Sequence, residues 1–109
     1  MSFDVQTTPD FQKSLKRLVK KFPSLKNEYA LLIDTLEKEP KTGIPLGKNC
    51  FKIRISIASK GKGKSGGGRV ITFVQLIHSR VTLLEIFDKS EMENIPEADL
   101  LALILKVQK

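Results

Sequence analysis

Phe51-Lys52-Ile53-Arg54-Ile55-Ser56-Ile57 places a large apolar side chain at every second position and a basic or polar one between. That period of two is a half-buried β-strand, and it puts Lys52 and Arg54 together on the face away from the core. A glycine-rich stretch follows, Gly61 to Gly68, and Arg69 then opens a second run, Val70 to Ile77, that is apolar on both faces. Such a run is expected at the centre of a sheet. His78-Ser79 offers a turn into a third run, Val81 to Phe87. The links are too short for parallel crossovers, so the three strands are expected to form an antiparallel meander.

Upstream the period is helical. Thr8-Pro9-Asp10 reads as a helix start: Thr8 caps, Pro9 suits the first turn, and Asp10 complements the positive end of the dipole. Phe11, Leu15, Leu18, Val19 and Phe22 then recur as one apolar stripe. Pro23-Ser24 interrupts, and Leu25, Tyr29, Leu32, Ile33 and Leu36 repeat the spacing until Pro40. Tyr29 lies on that stripe and is read as core. Downstream, Asn94-Ile95-Pro96-Glu97 starts a third helix with Leu100, Leu101, Ile104 and Val107 as its apolar side. Residues 2–6 add a candidate edge strand. The expected fold class is α+β: two N-terminal helices packed on a small antiparallel sheet, with a short C-terminal helix, in one domain spanning residues 1–109.

Charge is distributed unevenly along the chain. Residues 1–40 carry seven Lys/Arg against six Asp/Glu, and residues 81–109 carry three against six. Residues 41–80 carry nine cations and no acid, within a chain whose net charge is +7. Positive charge concentrated in this way is the footprint of a polyanion-binding surface, RNA above all. No apolar run approaches the roughly 20 residues of a membrane helix. Met1 to Val5 lack the basic flank and apolar stretch of a secretory signal, so a cytoplasmic location is expected. The lone Cys50 begins the alternating strand and is read as a small buried hydrophobe.

Ala58 to Ser65 formally fits a relaxed nucleotide-binding loop, but such a loop must open a helix, and here glycines lead into a strand. His78 has no second histidine or cysteine near it in sequence, and no metal or cofactor is expected. The remaining constellation is Lys52 and Arg54 on one strand face, Arg69 at the start of the next strand, and Lys89 past the third. Metal-free RNA cleavage needs a proton taken from a ribose 2′-hydroxyl, positive partners for the crowded phosphate, and a proton for the leaving 5′-oxygen. Arginine suits the second task, and a lysine crowded by cations suits proton transfer. The residues alone are equally consistent with a surface that grips phosphate and does no chemistry.

Taken together, Phe51-Lys-Ile-Arg-Ile, then Ser59 to Ile71, and Ile86-Phe-Asp-Lys-Ser-Glu resemble the RelE/HigB family of toxins within the RelE/ParE superfamily of type II toxin–antitoxin systems. The resemblance spans nearly the whole chain. It implies a RelE-like fold and a ribosome-dependent endoribonuclease, or mRNA interferase. Such an enzyme enters the ribosomal A site and cuts mRNA by 2′-hydroxyl attack on the adjoining phosphate. Its implied partners are the ribosome, mRNA and a cognate antitoxin, which in the HigB-like branch carries a helix-turn-helix DNA-binding domain. The implied catalytic residues are Lys52, Arg54, Arg69, Lys89 and Glu91, with Glu91 a proton acceptor. Lys60, Lys62 and Lys64 become RNA grips, and Phe87 a base-stacking group. The chain departs from the family pattern at two positions. Phe87 stands where relatives have tyrosine, and Ser90 where the prototype has a catalytic arginine, which leaves the general base open. A non-catalytic RNA- or DNA-binding module, and a ParE-type toxin directed at gyrase, are the alternative readings.

Overall fold

The computed structural model describes residues 2–60 and 66–107. Among them the chain runs β1 (Asp4–Thr7), α1 (Pro9–Lys21), α2 (Leu25–Lys38), β2 (Ile44–Gly47), β3 (Cys50–Ile55), β4 (Gly68–Gln75), β5 (Arg80–Asp88) and α3 (Glu97–Val107). The strands form one sheet in the order β1-β5-β4-β3-β2. β3, β4 and β5 are the antiparallel meander that the period of two predicts. The sheet is nevertheless mixed, because β1, the anticipated edge strand, pairs parallel to β5.

Helix α1 starts as its sequence dictates. The Thr8 hydroxyl oxygen accepts from the Phe11 amide at 3.0 Å, and the Thr8 amide donates to the Leu83 carbonyl at 3.3 Å, which ties the cap to β5. Phe11, Leu15 and Leu18 of α1 and Leu25, Leu32 and Leu36 of α2 pack on one face of the sheet. There they meet Ile53, Ile55, Val70, Val74, Val81, Leu83 and Ile86. On the other face Leu100 and Ile104 of α3 cover Cys50, Ile71, Phe73, Leu84 and Phe87. The β4–β5 pairing steps from Ile71↔Glu85 to Thr72↔Leu83, skipping Leu84. This bulge lets β5 send Leu83 and Ile86 to one core and Leu84 and Phe87 to the other.

The structure corrects several expected boundaries. β4 ends at Gln75, and Leu76–His78 form a 3-10 turn that leaves Ile77 90% exposed. Ser79 closes that turn in the left-handed region, φ 48°. β5 gains one residue at each end, and Leu101 of α3 is exposed. β2 was not anticipated. It joins β3 through Lys48 and Asn49, both at positive φ (55° and 64°), the conformation of a hairpin turn whose twist matches its strands. Its Pro45 sits on the sheet's edge, where a missing amide costs no ladder bond. No helix of the described residues is long and apolar enough to cross a membrane.

Candidate nucleic-acid interface

The register of the meander brings the two predicted arginines together. Arg54 on β3 lies directly opposite Arg69 on β4, and Arg69 lies opposite Phe87 on β5. Two pairs along the ladder, Lys52 faces Ile71, on the same side of the sheet. Arg54 is exposed, whereas Arg69 is only 3% exposed. Like charges directly across a ladder are unfavourable, and a buried one more so. Burial, and then Arg54, push the Arg69 pKa below its ordinary value, while Glu93 pulls it upward. The guanidinium remains charged in any case. Its Nη1 donates to the Gly68 carbonyl at 2.9 Å. A buried guanidinium set beside another cation is an arrangement that an anion relieves.

Lys52 is half-buried, and its ammonium donates to the Asn94 Oδ1. A cavity of about 140 Å³ adjoins it, lined also by Leu46, Lys48, Ile95 and Leu100. The Lys89 amide donates to the Gly67 carbonyl at 3.1 Å, which pins the end of β5 to the start of β4. Its side chain makes no ion pair among the described residues. Gly67 is needed for its close approach to the end of β3, since a Cβ there would lie 2.2 Å from the Ile55 carbonyl oxygen.

Other predicted site residues are engaged elsewhere. The Glu91 carboxylate is turned to α1, where Arg17 donates to both of its oxygens at 3.0 and 3.2 Å. Phe87 is 4% exposed and packs in the core beneath α3. The Lys60 ammonium pairs with the buried Asp88 carboxylate and lies 5.4 Å from the centre of the Phe22 ring. Lys62 and Lys64 fall outside the described residues. Tyr29 packs against Phe11 on the α1–α2 face, ring centres 5.8 Å apart. His78 is exposed in its turn, and among the described residues no group of three His, Cys, Asp or Glu is arranged to hold a metal.

Sequence reasoning missed Glu93 and Asn94. Both belong to the irregular segment between β5 and α3, where no period says which way a side chain points. The nearest signal was position: this segment had to return from the strand ends to α3 across the face carrying Lys52 and Arg69.

No protein-family model matches the sequence. Among solved structures, the chain is similar to an arginine-to-alanine double mutant of the Escherichia coli toxin RelE in the free state. That match has a TM-score of 0.60 at 15% identity and covers 85% of this chain and 90% of that one. It is also similar to isolated E. coli RelE, with a TM-score of 0.55 at 17% identity, covering 94% and 96% of the two chains. The RelBE2 toxin–antitoxin complex of Mycobacterium tuberculosis matches at 0.55 and 18%, over 81% and 92%. The fold is that of the RelE toxins.

Proposed function

We propose that this chain is the toxin of a bacterial toxin–antitoxin pair, a cytoplasmic, metal-independent endoribonuclease that cleaves mRNA in the ribosomal A site and halts translation. The observation that carries the reading is the buried Arg69 set directly across the ladder from Arg54. Two forked guanidiniums side by side suit a phosphate whose negative charge grows as a fifth oxygen approaches. In the reaction the ribose 2′-oxygen bonds to phosphorus and the bond from phosphorus to the 5′-oxygen breaks. The products are a 2′,3′-cyclic phosphate and a free 5′-hydroxyl. Arg54 holds the phosphoryl oxygens, joined by Arg69 once its cover moves aside, and the ammonium groups of Lys52 and Lys89 flank them as proton donors to the leaving oxygen. Glu91 takes the 2′-hydroxyl proton only after releasing Arg17. Lys60, Lys62 and Lys64 follow the RNA backbone, Lys60 only when parted from Asp88. Phe87 flanks Arg69 across the β4–β5 ladder, and it stacks on a base only if α3 lifts. The partners are the ribosome, mRNA and an antitoxin with a helix-turn-helix domain. The toxin–antitoxin complex among the similar structures supports the antitoxin.

The test is induced expression in bacteria with mapping of mRNA ends. Wild-type protein is expected to arrest growth and create new ends within codons, co-expressed antitoxin to rescue, and Arg69→Ala to abolish both effects while remaining folded. Normal growth with abundant soluble wild-type protein overturns the proposal.

A specific observation favours one second reading, a non-catalytic RNA-binding module. The carboxylate put forward as base is occupied by Arg17, and phenylalanine rather than tyrosine stands opposite Arg69. This reading expects salt-sensitive RNA binding with the RNA left intact.

A further inference from the structure

The cavity of about 140 Å³ that adjoins Lys52 takes its walls from the β2–β3 hairpin, the segment before α3, and α3 itself. Leu46, Ile95 and Leu100 supply apolar surface, and Lys48, Lys52, Asn94 and Glu97 supply polar groups. Glu97 and the two lysines border the same small space, yet no ion pair joins them among the described residues. Lys52 spends one of its three donors on the Asn94 Oδ1 and keeps two. Opposite charges held apart by apolar walls suit a flat, uncharged ligand with a donor at one point of its edge and an acceptor at another. The size agrees, since an apolar cavity of roughly 150 Å³ admits one benzene ring.

We infer that this cavity is a nucleobase pocket, selective for a base that carries an amino group. The inference rests on the proposed reading of the basic face as an RNA site. Lys52 and Arg54 lie two residues apart on one face of β3, roughly 7 Å. A phosphate held at Arg54 therefore leaves a base of the same strand within reach of the cavity. Adenine and cytosine each place an amino group beside a ring nitrogen that bears a lone pair. Guanine places its amino group and N1–H beside a carbonyl oxygen. Each of the three thus offers a donor to the Glu97 carboxylate and an acceptor to a lysine ammonium. Uracil does not fit in this way, because its one N–H lies between two carbonyl oxygens, and these face the carboxylate unfavourably. A second phosphate is a worse occupant than a base, since Glu97 repels it and the three apolar side chains give it no donor. Leu46 and Ile95 are half-buried and Leu100 is 5% exposed, so a ring entering between them leaves water on both faces.

The experiment measures fluorescence anisotropy of labelled 2′-O-methyl heptanucleotides, which the 2′-oxygen cannot cleave, titrated with the full chain. One is all uridine, and the others carry adenine, cytosine or guanine at the centre. Each of those is expected to bind about tenfold tighter than the uridine heptamer. Glu97→Ala is expected to narrow this preference to within about twofold. Glu97 is exposed at the start of α3, so the variant keeps its core, and a ratio of affinities within one protein cancels any change in net charge. Arg54→Ala is expected to weaken all four oligonucleotides alike. Equal affinity of the wild type for the four, or a preference that survives Glu97→Ala, overturns the inference, and the RNA reading stands if Arg54→Ala still weakens them all. Failure of every oligonucleotide to bind removes the RNA reading and the inference with it.

Discussion

Removing the carboxylate of Asp88 is expected to cost this protein a large share of its stability. Asp88 is 1% exposed and the Lys60 side chain 10%, and the two form an ion pair. Breaking such a pair from one side strands the other charge, which typically costs about 3–5 kcal/mol. Lys60 borders solvent and Ser90, whose amide donates to Asp88 at 3.1 Å, is exposed, so water recovers part of that loss. Asp88→Ala is therefore expected near 3 kcal/mol, or about 12 °C in Tm for a chain of this size. Lys60→Ala leaves the deeper partner uncompensated and is expected to cost at least as much. The double variant is expected to cost about 2 kcal/mol less than the sum of the single ones. The pH dependence has a definite sign. Burial alone pushes the Asp88 carboxyl up, but Lys60 and Ser90 together hold it below its usual value. A depressed native pKa gives stability that is present above the unfolded value of about 3.9 and is lost as pH falls through the native one. Urea unfolding of the four proteins at pH 7, repeated down to pH 2, measures both effects. Additivity within about 0.5 kcal/mol, or a gap between wild type and Asp88→Ala that persists unchanged at pH 2, refutes the coupling.

Arg54→Ala is expected to lower mRNA cleavage on programmed ribosomes by about two to three orders of magnitude, with Tm shifted by less than about 3 °C because the side chain is exposed; cleavage at the wild-type rate removes Arg54 from the site. Burial pushes the Cys50 thiol up to about 11, with Lys48 opposing. At pH 8 only about 0.1% is then thiolate, against roughly a quarter for a free cysteine, so modification by a disulfide reagent is expected about 200-fold slower than in the unfolded chain. A native rate near the unfolded one places the thiol outside the core. Gly67→Ala drives a Cβ into the Ile55 carbonyl and is expected to cost about 2 kcal/mol in chemical unfolding; a neutral result shows that the loop shifts freely.

The fold was legible wherever one residue type dominates a local choice. The cap at Thr8, the two apolar stripes and the alternation from Phe51 each name their element, and each is found there. β2 escaped because its turn uses Lys48-Asn49 instead of a glycine pair, and because Pro45 reads as a breaker until its edge position is known. The Arg54–Arg69 pairing was half legible: the period of two placed each on a strand, but only the register makes them neighbours. The pairs Lys60–Asp88 and Arg17–Glu91 were not legible at all, for they join residues 28 and 74 positions apart through side chains alone.

Those pairs share a pattern that bears on how the arginine row is held. Asp88, Glu91 and Asn94 follow one another at intervals of three, and each binds a cation on a different element: Lys60 in the turn after β3, Arg17 on α1, and Lys52 on β3. The end of β5 and the irregular segment after it therefore tie the sheet to the helical layer on the way to α3. Within it, Glu93 contributes the attraction that partly offsets the crowding of Arg69 by Arg54. Asp88, Glu91 and Asn94 thus have a holding task in this chain, which for Glu91 stands beside the proton transfer proposed for it. They fix the strand ends between which Arg54 and Arg69 are held against their mutual repulsion. Two like charges kept at neighbouring positions repel, and an anion that reaches both relieves that repulsion.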